Sequence, residues 1–441
     1  MNRVIRGLAL LILAMIILAA PAAANPWLEL RVMNIAHQGG EDEAPSNTMY
    51  AYKRALGVGS DMLEVDIHTT ADGHVVVMHD GTVDRTTEGS GSVYDMTLGE
   101  VQALDAAYDF VPGEGTKTGA PDSAYEFRGV RTGAKPPPAG FGPDDFRIPT
   151  LEEVLLAYPD IPINIEIKGA ADTDVDSFLR NAELLAAELN RLERTAGVIV
   201  ASFNDAALAR FHELAPDVGL APATGAVAAF KLGNVPPPAG TVAFQVPITF
   251  AGVGVTDPEF VERAHAQGYA VHVWLSGQRE APDVYEQLLD WGVDGIMAAE
   301  PTSLERVLCL RDVVRPVTPG VTHCPSAAPN NCSSPRPAGV SRSTRRGVVR
   351  LRIRREGSSG PCRGRVRLSY RRPLRGGPAL AAPRSARAFE IADGHQATRV
   401  RLRLPRRARR SLRLRGAAPV LAVVKSSGAE PAARAYVVRR R

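Results

Sequence analysis

The feature that most constrains the fold is an alternation of short apolar runs and longer amphipathic stretches from Val32 to about Val313. Short apolar runs are typical of strands buried on both faces, and the stretches between them are typical of helices. The strand-like runs are Val32–Ala36, Met62–Ile67, Val75–Met78, Ile163–Ile167, Val198–Ser202, Val218–Ala221, Val242–Val246, Val271–Leu275 and Gly295–Met297. The helix-like stretches are Met49–Leu56, Leu151–Ala157, Val175–Leu192, Asp205–Leu214, Pro258–Gln267 and Val284–Trp291. This alternation predicts an α/β fold, a TIM-type (β/α)8 barrel.

The nine runs are one more than a barrel of eight strands requires. Only seven residues separate Val75–Met78 from the preceding run, which leaves no room for a crossover helix. We therefore expect this run to form a hairpin-like excursion outside the parallel barrel.

Two histidines and a pair of carboxylates lie at or near the ends of these runs. His37 follows the first run and His79 follows Val75–Met78. Glu64 and Asp66 are two residues apart in one predicted strand, so they share a face and can hold one hard cation. Two imidazoles beside such a cation suit phosphoester cleavage, because one can accept a proton from the nucleophile and the other can donate one to the leaving oxygen.

Further polar or aromatic side chains end other runs. Glu166 and Lys168 are in phase at the end of one strand, and Ser202 and Trp274 lie at the ends of two more. Since the chemistry of such barrels gathers at the C-terminal ends of the strands, we expect these residues to converge in space.

Ten short motifs occur in a characteristic order along the chain. They are His37-Gln38-Gly39, Asn47-Thr48, Glu64-Val65-Asp66, Asp72-Gly73, His79-Asp80, Pro149-Thr150-Leu151-Glu152-Glu153, Glu166-Ile167-Lys168, Ser202-Phe203, Trp274 and Asp294-Gly295-Ile296. In this order they resemble the glycerophosphodiester phosphodiesterase family, and the resemblance covers roughly residues 32–311.

The resemblance implies an enzyme that hydrolyses glycerophosphodiesters to glycerol 3-phosphate and an alcohol. It implies one divalent cation, Mg²⁺ or Ca²⁺, between which the sequence does not decide. The implied cation ligands are Glu64, Asp66 and Glu166. His37 and His79 are the implied acid–base pair, and we favour His37 as the base and His79 as the acid. The expected substrate-binding residues are Lys168, Gln38, Asn47 and Trp274.

The chain departs from the family pattern at positions expected to bind phosphate. Gln38 stands where the family usually has Arg, and Ser46 stands where it usually has Glu. An amide does not replace the bidentate fork of a guanidinium. The sequence therefore constrains the reaction class more tightly than the substrate.

Two other functions remain open. The first is a lipid-directed phosphodiesterase, similar to lysophospholipase D or sphingomyelinase D, acting on a lysolipid. A hydrophobic tunnel beneath an insertion at about residues 105–147, rich in Gly, Pro and Tyr, would favour it. That insertion is either a lid or an inert surface loop. The second is a non-catalytic envelope-binding protein on a degenerate barrel, against which the intact set of two histidines and three carboxylates speaks.

The N-terminal segment predicts export. Arg3 and Arg6 precede an apolar run, Leu8–Ala20, and a small-residue cleavage site ends at Ala24. Residues 1–24 therefore read as a signal peptide, and we expect a secreted or cell-envelope protein. An uncleaved N-terminal anchor is the alternative.

The cysteines all lie in the last third of the chain: Cys309, Cys324, Cys332 and Cys362. An exported protein meets an oxidising compartment, which favours disulfides between them. Three pairings of the four cysteines are open.

The overall charge conceals two opposed parts. Residues 316–441 carry 29 Arg and one Lys against four acidic residues, a net charge of +26, whereas the rest of the chain carries −22. We predict a barrel domain over 25–314, a Pro-rich linker over 315–340 and a basic module over 341–441. Alternating apolar and Arg residues, as in Val349–Arg354 and Val400–Leu404, predict a small all-β, sandwich-like module.

The basic module suggests an anionic partner. An anionic envelope polymer or a membrane surface would fit, while a solvated basic face or docking on the acidic barrel are the alternatives. Nucleic acid is not expected, because the module lacks interleaved aromatic residues for base stacking.

Overall fold

The computed structural model describes residues 25–275, 280–324, 335–341, 343–344, 347–355, 362–370, 386–391, 397–426 and 429–440. The predicted signal peptide, Cys332 and part of the predicted linker lie outside the described residues. Within the described part of the chain, no helix is both long and apolar enough to cross a membrane.

The part of the chain before the basic region forms strands and helices in alternation. The strands in chain order are β1 Met33–Ala36, β2 Met62–Thr69, β3 Val75–Val77, β4 Phe110–Val111, β5 Gly115–Thr116, β6 Ile163–Ile167, β7 Val198–Ala201, β8 Gly219–Leu220, β9 Ala243–Pro247, β10 Thr249–Phe250, β11 Val253–Gly254, β12 Ala270–Trp274 and β13 Gly295–Ala298. The helices are α1 Pro26–Glu29, α2 Met49–Val58, α3 Leu98–Ala103, α4 Leu151–Ala157, α5 Val175–Arg191, α6 Asp205–Leu214, α7 Thr224–Gly233, α8 Pro258–Ala266, α9 Pro282–Trp291 and α10 Pro301–Leu310.

Eight of the strands form a parallel barrel in the order β8-β7-β6-β2-β1-β13-β12-β9. The two ends of this sheet meet where β8 runs beside the residues that enter β9. There the backbone N–H of Leu220 donates to the carbonyl of Gly240, and the N–H of Val242 donates to the carbonyl of Leu220, both at 2.9 Å. The predicted TIM-type barrel is confirmed.

The ninth predicted strand lies outside the parallel array. β3 pairs antiparallel with β2, with Val77 opposite Ile67. The predicted hairpin-like excursion is therefore confirmed.

All six predicted helices are present, within a few residues of their predicted ends. Among the helices that follow barrel strands, the sequence did not predict α7 and α10. α7 reads Thr-Gly-Ala-Val-Ala-Ala-Phe-Lys-Leu-Gly, with glycines near both ends and a single charge, so it lacks the polar face that marks an amphipathic helix.

The N-terminal end of the barrel is closed by α1. Trp27 is buried there and meets the ring of His272 edge-on, with centroids 6.3 Å apart. The side-chain amide of Asn25 donates to the carbonyls of Val242 and Gly268, which precede β9 and β12. The open end is consequently the opposite one, where the strands finish.

The insertion at 105–147 is packed. Phe127 and Phe146 lie against Tyr50 of α2, with ring centroids 4.9 and 4.7 Å away. The β4–β5 hairpin reaches the loop after β1, where the N–H of Gly113 donates to the carbonyl of Asp42 at 2.7 Å. The segment is thus anchored by an aromatic core of its own.

The C-terminal region contains two antiparallel sheets. Its strands are β14 Arg336–Val340, β15 Val348–Arg354, β16 Cys362–Tyr370, β17 Ala386–Ile391, β18 Ala397–Arg403, β19 Ala417–Ser426 and β20 Ala429–Arg439. They form one sheet in the order β14-β15-β18 and another in the order β17-β16-β19-β20, with a shared apolar core. The all-β prediction is confirmed with one addition, helix α11 at Arg406–Arg415, which buries Ala408 and Leu412 in that core.

The chain after α10 is attached to the barrel. Cys309 and Cys324 form a disulfide, which the sequence had left open among three pairings. The basic region also contacts the barrel directly, because Arg387 forms an ion pair with Glu286 and Arg365 donates to the carbonyl of Arg311 at 3.0 Å.

Candidate active site

Three carboxylates meet at the open end of the barrel. β2 and β6 are neighbouring parallel strands whose register sets Asp66 beside Glu166. Glu64 lies two residues before Asp66 on the same strand. Oxygens of the three side chains all lie within 4.8 Å of one another, and Glu64 and Asp66 are buried. Two adjacent strands thus bring the three predicted cation ligands into one space.

A single ammonium group lies among these carboxylates. The Nζ of Lys168 is 2.8 Å from Glu166 Oε1 and 3.1 Å from Asp66 Oδ1. Burial opposes its charge, but these carboxylates outweigh burial and raise the pKa of Lys168. Burial likewise opposes ionisation of Asp66, yet Lys168 and the two histidines lower the pKa of Asp66 to about 2.

Glu64 is in the opposite situation. Burial and the neighbouring Asp66 carboxylate raise the pKa of Glu64 to about 8. Burial also raises the pKa of Glu166, although Lys168 opposes that shift. When all three carboxylates are ionised, Lys168 alone does not balance their charge, so the site favours a further positive charge.

His37 is held by a carboxylate from its own turn. Residues 37–39 form a 3₁₀ turn in which Gln38 adopts φ 49°, and this bend brings Glu41 back towards His37. The Nδ1 of His37 lies 2.5 Å from Glu41 Oε1, and its Nε2 lies 3.9 Å from Glu64 Oε2. Burial opposes protonation, but Glu41 and Glu64 raise the pKa of His37 well above its ordinary value.

His79 has the same arrangement. Its Nδ1 lies 2.7 Å from Asp80 Oδ1, and Asp80 is in turn held by Arg85. Burial opposes ionisation of Asp80, but its bonds to His79 and Arg85 lower its pKa. Each imidazole therefore uses Nδ1 on a carboxylate, which orients the ring and leaves Nε2 for proton transfer.

His68 has a structural position. It follows Asp66 on the same face of β2, where Tyr94 donates from its hydroxyl to Nδ1 at 2.8 Å and Nε2 donates to the carbonyl of His79 at 3.1 Å. Burial lowers the pKa of His68 to about 4, which keeps the ring neutral. The side chain consequently fixes the backbone that carries His79.

Gln38 and Asn47 contact the carboxylates. The backbone N–H of Gln38 donates to Glu64 at 2.7 Å, and the Asn47 amide donates to Asp66 at 3.0 Å. Tyr52 holds the other end of the Asn47 amide at 2.8 Å. Neither residue lines the cavity described below, so their role in substrate binding stays a prediction, whereas their positioning of the carboxylates is observed.

A cavity of about 570 Å³ opens beside these groups. One side carries His37, His79, Glu64, Glu166 and Lys168. The rest of the lining is mostly apolar, with Lys231 of α7 among its polar members, and comes chiefly from the end of β7, α7, the β10–β11 hairpin and β12. Its apolar side chains include Phe203, Val227, Leu232, Phe250, Val253 and Trp274.

The donor set fits a hard divalent cation. All three candidate ligands supply carboxylate oxygen, which Mg²⁺ and Ca²⁺ prefer, and none supplies sulfur. The raised pKa of Glu64 shows that the negative charge of this carboxylate is not balanced by a neighbouring positive charge, as expected of a cation ligand without its cation.

Three features of this site were not predicted. They are the carboxylate partners of the histidines, Glu41 and Asp80, and the apolar wall with Phe203 at its rim. Asp80 is adjacent to His79 in sequence and could have been proposed. Glu41 depends on the left-handed Gln38, which no periodicity indicates.

Comparison with known proteins agrees with this geometry. Residues 37–302 match the model of the glycerophosphoryl diester phosphodiesterase family. A glycerophosphodiester phosphodiesterase of Caldanaerobacter subterraneus is 32% identical over 280 residues, which cover 62% of this chain and 97% of that protein. Lysophospholipase D GDPD1 of Rattus norvegicus is 25% identical over 323 residues, covering 68% and 93% of the two chains.

A solved structure supports the fold. A putative glycerophosphoryl diester phosphodiesterase of Silicibacter pomeroyi superposes with a TM-score of 0.51 at 22% identity. The match covers 66% of this chain and 99% of that one. Taken with the barrel and the matched residues, these similarities give one conclusion: the chain belongs to the glycerophosphoryl diester phosphodiesterase family, a family of phosphoric diester hydrolases.

Proposed function

We propose that this protein hydrolyses glycerophosphodiesters to glycerol 3-phosphate and an alcohol, using one divalent cation and two histidines. The observation that carries the proposal is the meeting of three carboxylate side chains with two carboxylate-held imidazoles in one cavity. A non-catalytic binding protein would have no need of both imidazoles oriented in this way.

Glu64, Asp66 and Glu166 would hold the cation, either Mg²⁺ or Ca²⁺. When bound, the cation neutralises charge on the phosphodiester and polarises it for attack. Lys168 keeps its ammonium charge in this environment and would contact a phosphate oxygen. Asn47 and the backbone of Gln38 would keep Asp66 and Glu64 in place as the charge in the cavity changes.

Proton transfer would fall to the two histidines. His37 would take the proton from the attacking oxygen as a bond to phosphorus forms, once a cation on Glu64 offsets part of the negative charge that raises the pKa of His37. If the attacking oxygen is water, glycerol 3-phosphate forms directly. If it is a neighbouring hydroxyl of the substrate, a cyclic phosphate forms and water must open it in a second step. The bond from phosphorus to the alcohol oxygen breaks, and His79 gives a proton to that oxygen. Glu41 and Asp80 stabilise the imidazolium form of each ring.

The first test is glycerol 3-phosphate release from glycerophosphocholine by purified residues 25–441. We expect release with Mg²⁺ or Ca²⁺, none with EDTA, and none from His37→Ala. Absence of release from a folded protein that binds the cation would contradict this substrate. Release that persists in EDTA would contradict the metal-dependent mechanism.

The two histidine roles can be separated with a substrate analogue that carries a p-nitrophenolate leaving group. This leaving group needs no proton, so His79→Ala should recover much of its lost activity on the analogue, while His37→Ala should not. The reverse pattern would exchange the two roles.

A lysolipid is the second candidate substrate, because the cavity wall facing the carboxylates is apolar. Phe203 is 51% exposed and Phe250 is 42% exposed at the rim, where they stack 6.3 Å apart. A hydrophobic tunnel beneath the 105–147 insertion was the feature expected to favour a lipid substrate, but these apolar residues lie on other elements. The rat relative named lysophospholipase D is consistent with a lipid substrate.

This alternative makes a distinct prediction. If an acyl chain lies on the apolar wall, Phe203→Ser with Phe250→Ser should raise KM for lysophosphatidylcholine about tenfold and leave glycerophosphocholine hydrolysis unchanged. An equal effect on both substrates would remove the reason for preferring a lipid.

We further propose that the protein is exported after cleavage behind Ala24, as the sequence of residues 1–24 suggests. Fractionation of cells that express the full chain, with the N-terminus of the product sequenced, tests this. A product that begins at Asn25 outside the cytoplasm is expected, and a retained N-terminus in the membrane fraction would indicate an anchor instead.

A further inference from the structure

One face of the β14-β15-β18 sheet is an array of arginines. Along β15, Val349, Leu351 and Ile353 are buried, and the residues between and after them are exposed. β18 likewise exposes three arginines. We call these six side chains the arginine face: Arg350, Arg352, Arg354, Arg399, Arg401 and Arg403.

The strand register places like charges opposite one another. Arg350 pairs across the two strands with Arg401, and Arg352 pairs with Arg399. Directly opposite side chains begin only about 5 Å apart at Cβ, and like charges in that position destabilise a sheet. The fold thus retains an arrangement that works against its own stability.

No acidic residue relieves this repulsion within the described sheet. The sequences of β14, β15 and β18 contain neither Asp nor Glu. Among the residues that the structure describes, no carboxylate forms an ion pair with any of the six arginines. A solvent-facing sheet without a ligand would be more stable with Thr at these positions, or with Glu opposite Arg, so the uncompensated arginines favour an external anion.

We propose that the arginine face binds a linear polyanion that carries a phosphate group in each repeat. Positive charges recur about 6.8 Å apart along each strand and about 5 Å apart across the two strands. A guanidinium recognises phosphate with two parallel hydrogen bonds, which an ammonium does not reproduce. A chain of phosphates lying along the strands would meet several guanidinium groups at once and offset their mutual repulsion.

The composition of the face favours a polymer over a bilayer. On β15 and β18, the exposed positions are arginines, and the large apolar side chains between them point towards the core or are partly covered. No large exposed apolar residue of these two strands is available to enter the acyl region of a membrane. The described part of the face has no aromatic side chain either, which removes base stacking as a source of affinity.

This surface is separate from the catalytic cavity and extends beyond the proposed hydrolysis. It would hold the enzyme on a polymer rich in phosphate while the barrel remains free to turn over its substrate. Binding and hydrolysis should therefore be separable by mutation.

The experiment measures binding of long-chain inorganic polyphosphate by residues 25–441 at about 50 and about 200 mM salt. The test variant combines Arg350→Gln, Arg352→Gln, Arg399→Gln and Arg401→Gln. Its affinity should fall at least about tenfold, and the affinity of the unmodified protein should fall steeply with salt. The variant's thermal midpoint should be equal or higher, because like-charge repulsion is removed, and its activity on glycerophosphocholine should be unchanged.

Two further variants serve as controls. One replaces four exposed basic residues of the barrel by Gln and should bind as the unmodified protein does: Lys53, Arg180, Arg191 and Arg306. The other replaces the four arginines of the test variant by Lys and should bind more tightly than the Gln variant but more weakly than the unmodified protein, since it keeps the charge and loses the paired hydrogen bonds of the guanidinium.

Several results would overturn the proposal. They are unchanged binding by the Gln variant, equal losses in the Gln and Lys variants, an equal loss in the barrel control, or no binding of polyphosphate at all. Tighter binding to phosphatidylglycerol vesicles or to duplex DNA through the same arginines would overturn the choice of polymer.

Discussion

The charge of the catalytic cavity is decided by a few residues that oppose one another. Lys168 balances one of three carboxylates, and burial raises the pKa of Glu64 to about 8 while that of Asp66 is lowered to about 2. The two carboxylates lie on one strand yet titrate far apart, because only Asp66 contacts the ammonium group. At neutral pH, a cation would have to displace a proton from Glu64 before it bound.

This displacement gives a pH dependence. Below a pH of about 8 Glu64 binds a proton in the cation-free protein, so binding of Mg²⁺ or Ca²⁺ releases that proton and apparent affinity should rise with pH and level off near that value. Calorimetry in buffers of different ionisation enthalpy should detect up to one proton released at neutral pH. Glu64→Gln should abolish the release and weaken binding, and a cation affinity independent of pH over this range would contradict the assignment.

Glu41 is the residue whose removal best tests the orientation of His37. Glu41→Gln keeps the size of the side chain but removes the charge 2.5 Å from Nδ1. We expect kcat to fall about tenfold to a hundredfold, with KM almost unchanged, because the ring loses its partner and not its substrate. Glu41→Asp should recover part of the rate.

Glu43→Gln is the matched control for that prediction. Glu43 is two residues away in the same loop, and its carboxylate contacts Arg54 and Thr302 and not a histidine. Its replacement should leave kcat unchanged. An equal loss of kcat in both variants would point to a general disturbance of the loop.

The sequence located those site residues whose spacing in a strand shows which way their side chains point. Glu64 and Asp66 were predictable because a strand alternates its side chains. Glu41 was not, since its approach to His37 depends on one residue in the left-handed region, Gln38. The apolar rim was not predicted, because Phe203 forms it only by stacking with Phe250 of the β10–β11 hairpin, which lies far away in sequence.

At the level of elements, the barrel could be predicted from the sequence, but the packing of the 105–147 insertion could not. Apolar runs separated by amphipathic stretches indicate strands and helices of a parallel barrel without any tertiary information. The 105–147 insertion carries no such period, because its order comes from aromatic residues that pack against Tyr50 of α2. A segment held by tertiary contacts of this kind leaves no local signal.

The importance of this packing can be measured. Phe146 is fully buried between Tyr50 and Phe127. Phe146→Ala should therefore lower the free energy of unfolding by about 3–5 kcal/mol. Because the insertion also holds the loop of Glu41 through Asp42, activity should fall as well.

Leu156→Ala is the control for the packing prediction. The side chain of Leu156 is 62% exposed. Its truncation should change the free energy of unfolding by only about 0.5 kcal/mol or less. Equal losses for the two variants in chemical denaturation would contradict the role of the aromatic core.

At the scale of the whole molecule, an acidic barrel is joined to a basic all-β region with a charge of +26 in residues 316–441. The charge division could be counted from the sequence, but the contacts between the parts could not. Arg387 meets Glu286 of α9, and the chain between the parts returns to the closed end of the barrel. There Arg315 is buried between the carboxylates of Asp61 and Glu305.

The disulfide that fixes this return should contribute strongly to stability. Cys309 and Cys324 are separated by 15 positions in the sequence. Closing a loop of that length is worth about 3 kcal/mol, chiefly by restricting the unfolded chain. Cys309→Ser with Cys324→Ser should therefore lower the free energy of unfolding in urea by about 3 kcal/mol.

If the bond also keeps Arg315 in place, Arg315→Met in the protein with its disulfide intact should lower the free energy of unfolding by at least as much, because it leaves two buried carboxylates without the guanidinium that pairs with them.

Combining the changes distinguishes the two contributions. If the disulfide acts partly by holding Arg315, the loss in the triple variant should be smaller than the total of the separate losses. A strictly additive loss would mean that the bond acts on the unfolded chain alone. A disulfide variant as stable as the unmodified protein would mean that the buried ion pairs of Arg315 are sufficient to attach this segment to the barrel.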